Sequence, residues 1–174
     1  MFVRTKKIKR YRYAYLVENT WKKNSSRQKV SKYLGRVYDY ADGALPTVHT
    51  LDGLSYRESV RHLVEVHLKL LGFSEQQTDS GVVLQKEDLV FYPSTLTFKQ
   101  KNGKPFVVKN YDGYLCDYTV KKLADFTKIG DEESTGYKLA KACVEAGLNV
   151  PKEAFVEMFE KICPIAETVR KMQS

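Results

Sequence analysis

Cysteine and histidine are scarce in this chain, and long apolar runs are missing from it altogether. The three cysteines, Cys116, Cys143 and Cys163, are odd in number, far apart and set among apolar neighbours. A disulfide scaffold is thereby excluded, and no Cys-x-x-Cys spacing offers a zinc site; the usage suits a reducing, cytoplasmic setting. Of the three histidines, His49, His62 and His67, the last two lie five apart. They would sit about 140° apart round a helix, so they cannot grip one metal from one face. No glycine-rich phosphate loop occurs, and Asn102-Gly103-Lys104 reads as a turn. No apolar stretch approaches the roughly 20 residues of a membrane span. The charged start, Met1 to Arg10, has no apolar segment behind it and does not read as a signal peptide. No cofactor, no metal and no membrane contact are expected.

The first 38 residues also lack acid. They contain twelve Lys or Arg and one acid, Glu18, for a net charge of +11. The remainder holds 17 basic and 20 acidic residues, or −3, so this one segment carries the whole excess behind the chain's +8. Charge concentrated in this way implies a localised partner of opposite sign, and phosphate is the first candidate.

The basic segment reads as an antiparallel meander of three strands. Phe2 to Ile8 is the first. In the second, Tyr11, Tyr13, Tyr15 and Val17 alternate with Arg10, Arg12, Ala14 and Leu16, the period-2 pattern of a strand. After a polar turn, Lys22-Lys23-Asn24-Ser25-Ser26, the third runs from Arg27 to Leu34 and closes at Gly35. Its alternation puts Arg27, Lys29, Ser31 and Tyr33 on one face and Gln28, Val30, Lys32 and Leu34 on the other. Residues 39–54, with Gly, Pro and Asp and no sustained period, read as a linker, which makes residues 1–38 a unit of their own.

Residues 55–174 read as an α+β domain without an assigned role. Ser55 and Glu58 have capping-box spacing and open a helix to about Leu71, stopped by Gly72. Short strands follow at Gly81–Leu84, Leu89–Tyr92, Leu96–Lys101 and Phe106–Lys109, with Asn102-Gly103 as a hairpin turn between the last two. Helices are expected over about Tyr118–Phe126, Ser134–Ala146 and Lys152–Ile162, with Gly147 and Pro151 as punctuation and Pro164 breaking or restarting the last. The fold class is α+β: a three-stranded antiparallel sheet, a helix, a short antiparallel sheet, then helices.

Tyr13-Ala14-Tyr15-Leu16-Val17-Glu18-Asn19, with Arg27-Gln28-Lys29-Val30-Ser31-Lys32-Tyr33-Leu34-Gly35, resembles the N-terminal segment of many insertion-sequence (DDE-type) transposases. The resemblance covers residues 1–37 only. It implies a small DNA-holding element ahead of a catalytic domain, but the rest of this chain does not look like an RNase-H-like domain. No catalytic acids carry over.

The contact candidates are Arg10, Arg12, Arg27, Lys29 and Lys32, with Arg4, Lys6, Lys7, Lys9, Lys22 and Lys23 as electrostatic support. Tyr11, Tyr13 and Tyr15 either stack unpaired bases or form core, and core is the favoured reading because aromatic strands usually bury one face. Trp21 either stacks or covers the end of the sheet; the second is favoured. Nucleic acid is the expected partner, DNA slightly ahead of RNA, without enzymatic activity. The alternative is an adaptor or ribonucleoprotein-associated factor that docks through the basic sheet. A remote alternative is a degenerate restriction-type nuclease built on Glu87, Asp88 and Lys109, whose second metal-binding acid is replaced by Val107. The helices at 134–146 and 152–162 have a helix-turn-helix outline, but Glu153, Glu157 and Glu160 make the second a poor DNA reader. A packed helical hairpin is preferred there, with Phe155, Met158, Phe159 and Ile162 as its core stripe or a surface for a homodimer or partner protein.

Overall fold

Short connections between β-forming runs give a meander, and the computed structural model builds it; residues 1–22, 25–40, 46, 50–79 and 81–164 are described. The strands are β1 (Phe2–Ile8), β2 (Tyr11–Lys22) and β3 (Ser25–Asp39). Helix α1 (Tyr56–Leu70) follows, then β4 (Ser74–Thr78), β5 (Gly81–Lys86), β6 (Leu89–Tyr92) and β7 (Thr97–Gln100). The chain continues with β8 (Phe106–Asn110), β9 (Gly113–Leu115), α2 (Asp117–Ala124), α3 (Glu132–Glu145) and α4 (Lys152–Ile162). The fold is α+β, as the sequence patterns indicate. Among the described residues, no helix is long and apolar enough to cross a membrane.

Sheet order carries the main surprise. β4-β5-β6-β7 form one antiparallel sheet, while β1-β2-β3-β8-β9 form another. β3 pairs in parallel with β8, from Arg36 opposite Phe106 to Asp39 opposite Lys109. The edge of the basic meander is thus completed by strands 70 or so residues further on, a separation too long for any local signal to announce. The hairpin expected at Asn102-Gly103 is corrected accordingly. The turn exists, with Gly103 at φ 81°, but β7 and β8 share only the bridge Lys99–Pro105 before β8 crosses to the other sheet. β4 and β9 were not foreseen. β4 is Ser-Glu-Gln-Gln-Thr, exposed throughout, and without a buried face it shows no hydrophobic alternation.

Residues Phe106-Val107-Val108 form a continuous apolar run because both faces of β8 are buried. Phe106 and Val108 join the large core, which includes Leu63, Leu68, Phe91, Phe98, Leu123, Leu139 and Met158. Val107 faces the other way into a smaller core with Ala14, Leu16, Leu34, Val37 and Cys116. Ring contacts Phe91–Phe98 (4.7 Å) and Phe98–Phe106 (5.6 Å) tie the two sheets together. Each such buried ring stabilises the fold by roughly 1.5–3 kcal/mol.

Helix signals were local and are matched. The Ser55–Glu58 capping box is formed in both directions, satisfying two otherwise unpaired N-terminal donors of α1. Asp131 caps α3, and Gly72 and Gly147 take positive φ just beyond α1 and α3. Met158 and Ala154 are buried, with Phe155, Phe159 and Ile162 packed on the large core, so the α4 stripe is core. α4 ends before Pro164; residues 165–174 lie outside the described residues, as do Lys23, Asn24 and most of 41–49, including His49.

Candidate nucleic-acid interface

Two irregularities in β3 decide which side chains share a face. The β2–β3 register skips Leu34 between the pairs Ala14–Gly35 and Tyr15–Tyr33, and skips Ser31 between Leu16–Lys32 and Val17–Val30. Each β-bulge shifts the alternation by one residue. Tyr33 therefore joins the face of Tyr15, and Lys32 joins that of Leu16, which corrects the simple alternation read for this strand.

The resulting faces are chemically distinct. One carries Lys7, Arg12, Lys32, Lys29 and Arg27 around the small core residues Ala14 and Leu16, with Glu18 opposite Lys29. The other carries Phe2, Arg4, Lys6 and Ile8 from β1, Tyr11, Tyr13, Tyr15 and Val17 from β2, and Val30, Tyr33, Arg36 and Tyr38 from β3. The favoured core assignment is overturned for the tyrosines but not for Val17, which is buried on the same face. Ala14 and Leu16 are the buried side of β2, covered by Cys116, Tyr114 and Tyr118, whereas Tyr11, Tyr13 and Tyr15 are only partly buried and Tyr33 is 43% exposed. Small residues on one face pack with Cys116, Tyr114 and Tyr118, and the bulkier tyrosines of β2 lie on the other side.

Beyond the last β1 pair, Phe2–Val17, strands β2 and β3 run on alone as a ribbon from Glu18–Lys29 to Lys22–Ser25. Five pairs at about 3.4 Å each project it roughly 17 Å. Trp21 stands on this ribbon at 81% exposure, which overturns the reading that it covers the end of the sheet. Lys22 is in the ribbon, though its side chain, like Lys23, lies outside what is described. Arg27 and Lys29 are exposed on the ribbon, and Lys32 is exposed just behind it.

The cations here are largely without acid partners. Among the described residues the segment's only ion pair is Arg12 to Asp39, at 3.4 Å. Arg4 donates to the Gln28 side-chain oxygen. Arg36 lies flat against Tyr11, 3.7 Å from the ring centroid, and 4.8 Å from that of Tyr38, a cation–π arrangement that holds its guanidinium in place. Lys9 and Arg10 form the β1–β2 turn, with Lys9 at φ 55°. A cleft of about 300 Å³ opens beside that turn, lined by Lys7, Arg10, Tyr11, Arg12, Arg36, Val37 and Asp39. Four cations against one carboxylate leave this cleft with a net positive charge. Burial, then the neighbouring Tyr13 and Tyr15, raise the pKa of the Tyr33 hydroxyl, so it remains a neutral donor at ordinary pH.

The remaining candidates sit elsewhere. Val107 is wholly buried in the small core, Glu87 and Asp88 form the β5–β6 turn, and Lys109 approaches the Tyr114 ring at 5.5 Å. His67 is buried, its Nδ1 2.7 Å from the Leu63 carbonyl oxygen, while Nε2 accepts the Asn149 N–H at 3.0 Å. Both ring nitrogens are thus satisfied by backbone. Burial raises the thiol pKa of Cys116, and that of Cys143 to about 12, which keeps both protonated. Sequence reasoning missed Arg36 and Tyr33 as members of the aromatic face. The cue for Tyr33 was present only as a spacing that the bulges invert.

No protein-family model, curated protein or solved structure matches this chain.

Proposed function

We propose that this chain is a non-enzymatic nucleic-acid-binding protein whose basic ribbon and adjoining sheet grip the phosphate backbone. The observation that carries this reading is the cation arrangement of residues 1–38: among the described residues one ion pair, Arg12–Asp39, in a segment of charge +11. Unneutralised cations repel one another, and a polyphosphate relieves that repulsion while releasing its own counterions. Arg27, Lys29 and Lys32 lie together on one face, and a two-stranded ribbon fits the width of a DNA major groove. DNA is favoured over RNA on the transposase resemblance of residues 13–35. A reducing compartment, the cytoplasm, suits three free, buried cysteines.

Deleting residues 1–38 is a poor test because it strips β8 of its parallel neighbour. Point changes are cleaner. Arg27→Ala, Lys29→Ala and Lys32→Ala together remove three exposed charges outside both cores. Lys128→Ala, Lys138→Ala and Lys141→Ala remove three exposed charges from the helical side. In fluorescence anisotropy with a labelled duplex, the first triple variant should bind at least about tenfold more weakly, three lost phosphate contacts being worth several tenths to one kcal/mol each. The second should bind within about twofold of the unaltered protein. Equal losses in the two would point to a diffuse charge effect and refute the assignment.

A further inference from the structure

The aromatic face is not accounted for by phosphate contacts. Tyr33 lies 5.6 Å from Tyr15 and 6.4 Å from Tyr13 between ring centroids, so the three rings make one patch. Beside it a groove of about 500 Å³ has Val17, Val30 and Tyr15 among its lining, with Arg4, Lys6 and Gln28 at its polar margin. That volume lies in the range of small-ligand sites. Strands β1–β3 place no acid of their own on this face, and Glu87 and Asp88 of the β5–β6 turn approach it beside Tyr38. Glu18 and Asp39 both belong to the opposite face, by their pairing with Lys29 and their register with Arg12 and Val37.

Those features select one occupant. An acidic protein would be matched by the opposite basic face, on which β1–β3 place no ring of their own. A second copy meeting this face about a two-fold axis would set Arg4, Lys6 and Arg36 against the same cations of its twin. Unpaired nucleotides fit both halves of the chemistry: every base offers a π-face to a ring, and every phosphate a partner to a cation. Duplex DNA does not, because its bases are stacked away from such a surface. Tyr11, already covered by Arg36, holds that cation and is not itself a platform.

We propose that the tyrosine face of β1–β3 binds an unpaired nucleotide segment, its bases stacked on Tyr15 and Tyr33 and its phosphates met by Arg4, Lys6 and Arg36. The inference rests on the nucleic-acid-binding reading and adds the strandedness of the ligand. Gln28, hydrogen-bonded to Arg4, supplies a polar edge beside the stacked bases.

The test compares a labelled oligodeoxythymidylate single strand with a mixed-sequence duplex for the full chain and for Tyr33→Ala, Tyr33→Phe and Tyr33→Leu. Stacking losses of this kind correspond to about tenfold in affinity. Tyr33→Ala and Tyr33→Leu should each lose about tenfold on the single strand and stay within about twofold on the duplex, with Tyr33→Phe close to the unaltered protein. Thermal midpoint and sedimentation should not move. The inference is overturned if Tyr33→Leu, which keeps apolar bulk without a ring, binds the single strand normally. It is overturned equally if Tyr33→Phe fails as badly as Tyr33→Ala, or if Tyr33→Ala changes the oligomeric state and not the binding. An unaltered chain that binds the duplex and no single strand sinks this inference alone; one that binds neither sinks the nucleic-acid reading itself.

Discussion

Gly35→Ala should be among the most damaging single substitutions in the chain. Gly35 occupies φ 129°, a conformation essentially restricted to glycine. A Cβ there would lie 2.4 Å from the Pro105 carbonyl oxygen and 2.7 Å from the Phe106 Cα. Both are backbone atoms and cannot rotate aside, so β3 would have to lift from β8 where the parallel pairing begins. Strained φ costs about 1–3 kcal/mol and forced displacement in a packed region another 1–3 kcal/mol. The sum, about 4 kcal/mol, is a large part of the 5–15 kcal/mol typical of a whole domain. Urea unfolding followed by circular dichroism is the suitable assay, because Trp21 is too exposed to report on the core. Gly53→Ala is the control: φ is 73°, but nothing lies within 4 Å of the added methyl, so about 1 kcal/mol is expected. If Gly35→Ala costs no more than Gly53→Ala, the close β3–β8 contact is not as described.

His67 should make stability pH-dependent. Burial lowers its pKa, so the unfolded chain takes up a proton below about pH 6.5 while the folded chain resists it; stability is full above that pH and falls by about 1.4 kcal/mol per unit as pH drops toward the folded value. Thermal melts at pH 7.5 and 5.5 should separate by less in His67→Gln than in the unaltered chain, once the lower starting stability of the variant is allowed for. Lys9→Gly should relieve the positive φ at the β1–β2 turn and raise stability by up to about 1 kcal/mol, read as an upward shift in thermal midpoint. Trp21→Ala should leave the midpoint unchanged, because an 81% exposed side chain away from special features contributes within about 0.5 kcal/mol; a clear loss of stability would show that the ring is covered.

What the sequence disclosed was mostly what is encoded locally. The period-2 tyrosines of β2 and the Ser55–Glu58 box each act within a few residues and form as read, and the Asn102-Gly103 turn forms without the hairpin expected around it. The β3–β8 pairing is hidden because parallel neighbours leave no turn between them. The faces of β3 were misread because alternation assumes an unbroken register, and neither Leu34 nor Ser31 advertises a bulge. The burial side of β2 was misassigned for a related reason: ring size suggested core, but the buried side is that of Ala14 and Leu16, which pack with Leu34, Val37, Val107 and Cys116. The candidate site was therefore legible as charge and not as geometry: the sequence singles out Arg12, Arg27, Lys29 and Lys32, which share one face, but not Tyr33 and Arg36 on the other.

The most direct test of the central claim is the salt dependence of binding to a labelled duplex, measured by anisotropy between about 50 and 200 mM salt. Each phosphate neutralised by the ribbon contributes roughly −0.9 to the slope of log affinity against log salt concentration. The account predicts a slope of about −4 for the unaltered protein. In the Arg27, Lys29 and Lys32 triple alanine variant it should become shallower by two to three units, roughly one per contact removed. A slope near zero, or one unchanged in the triple variant, would contradict it.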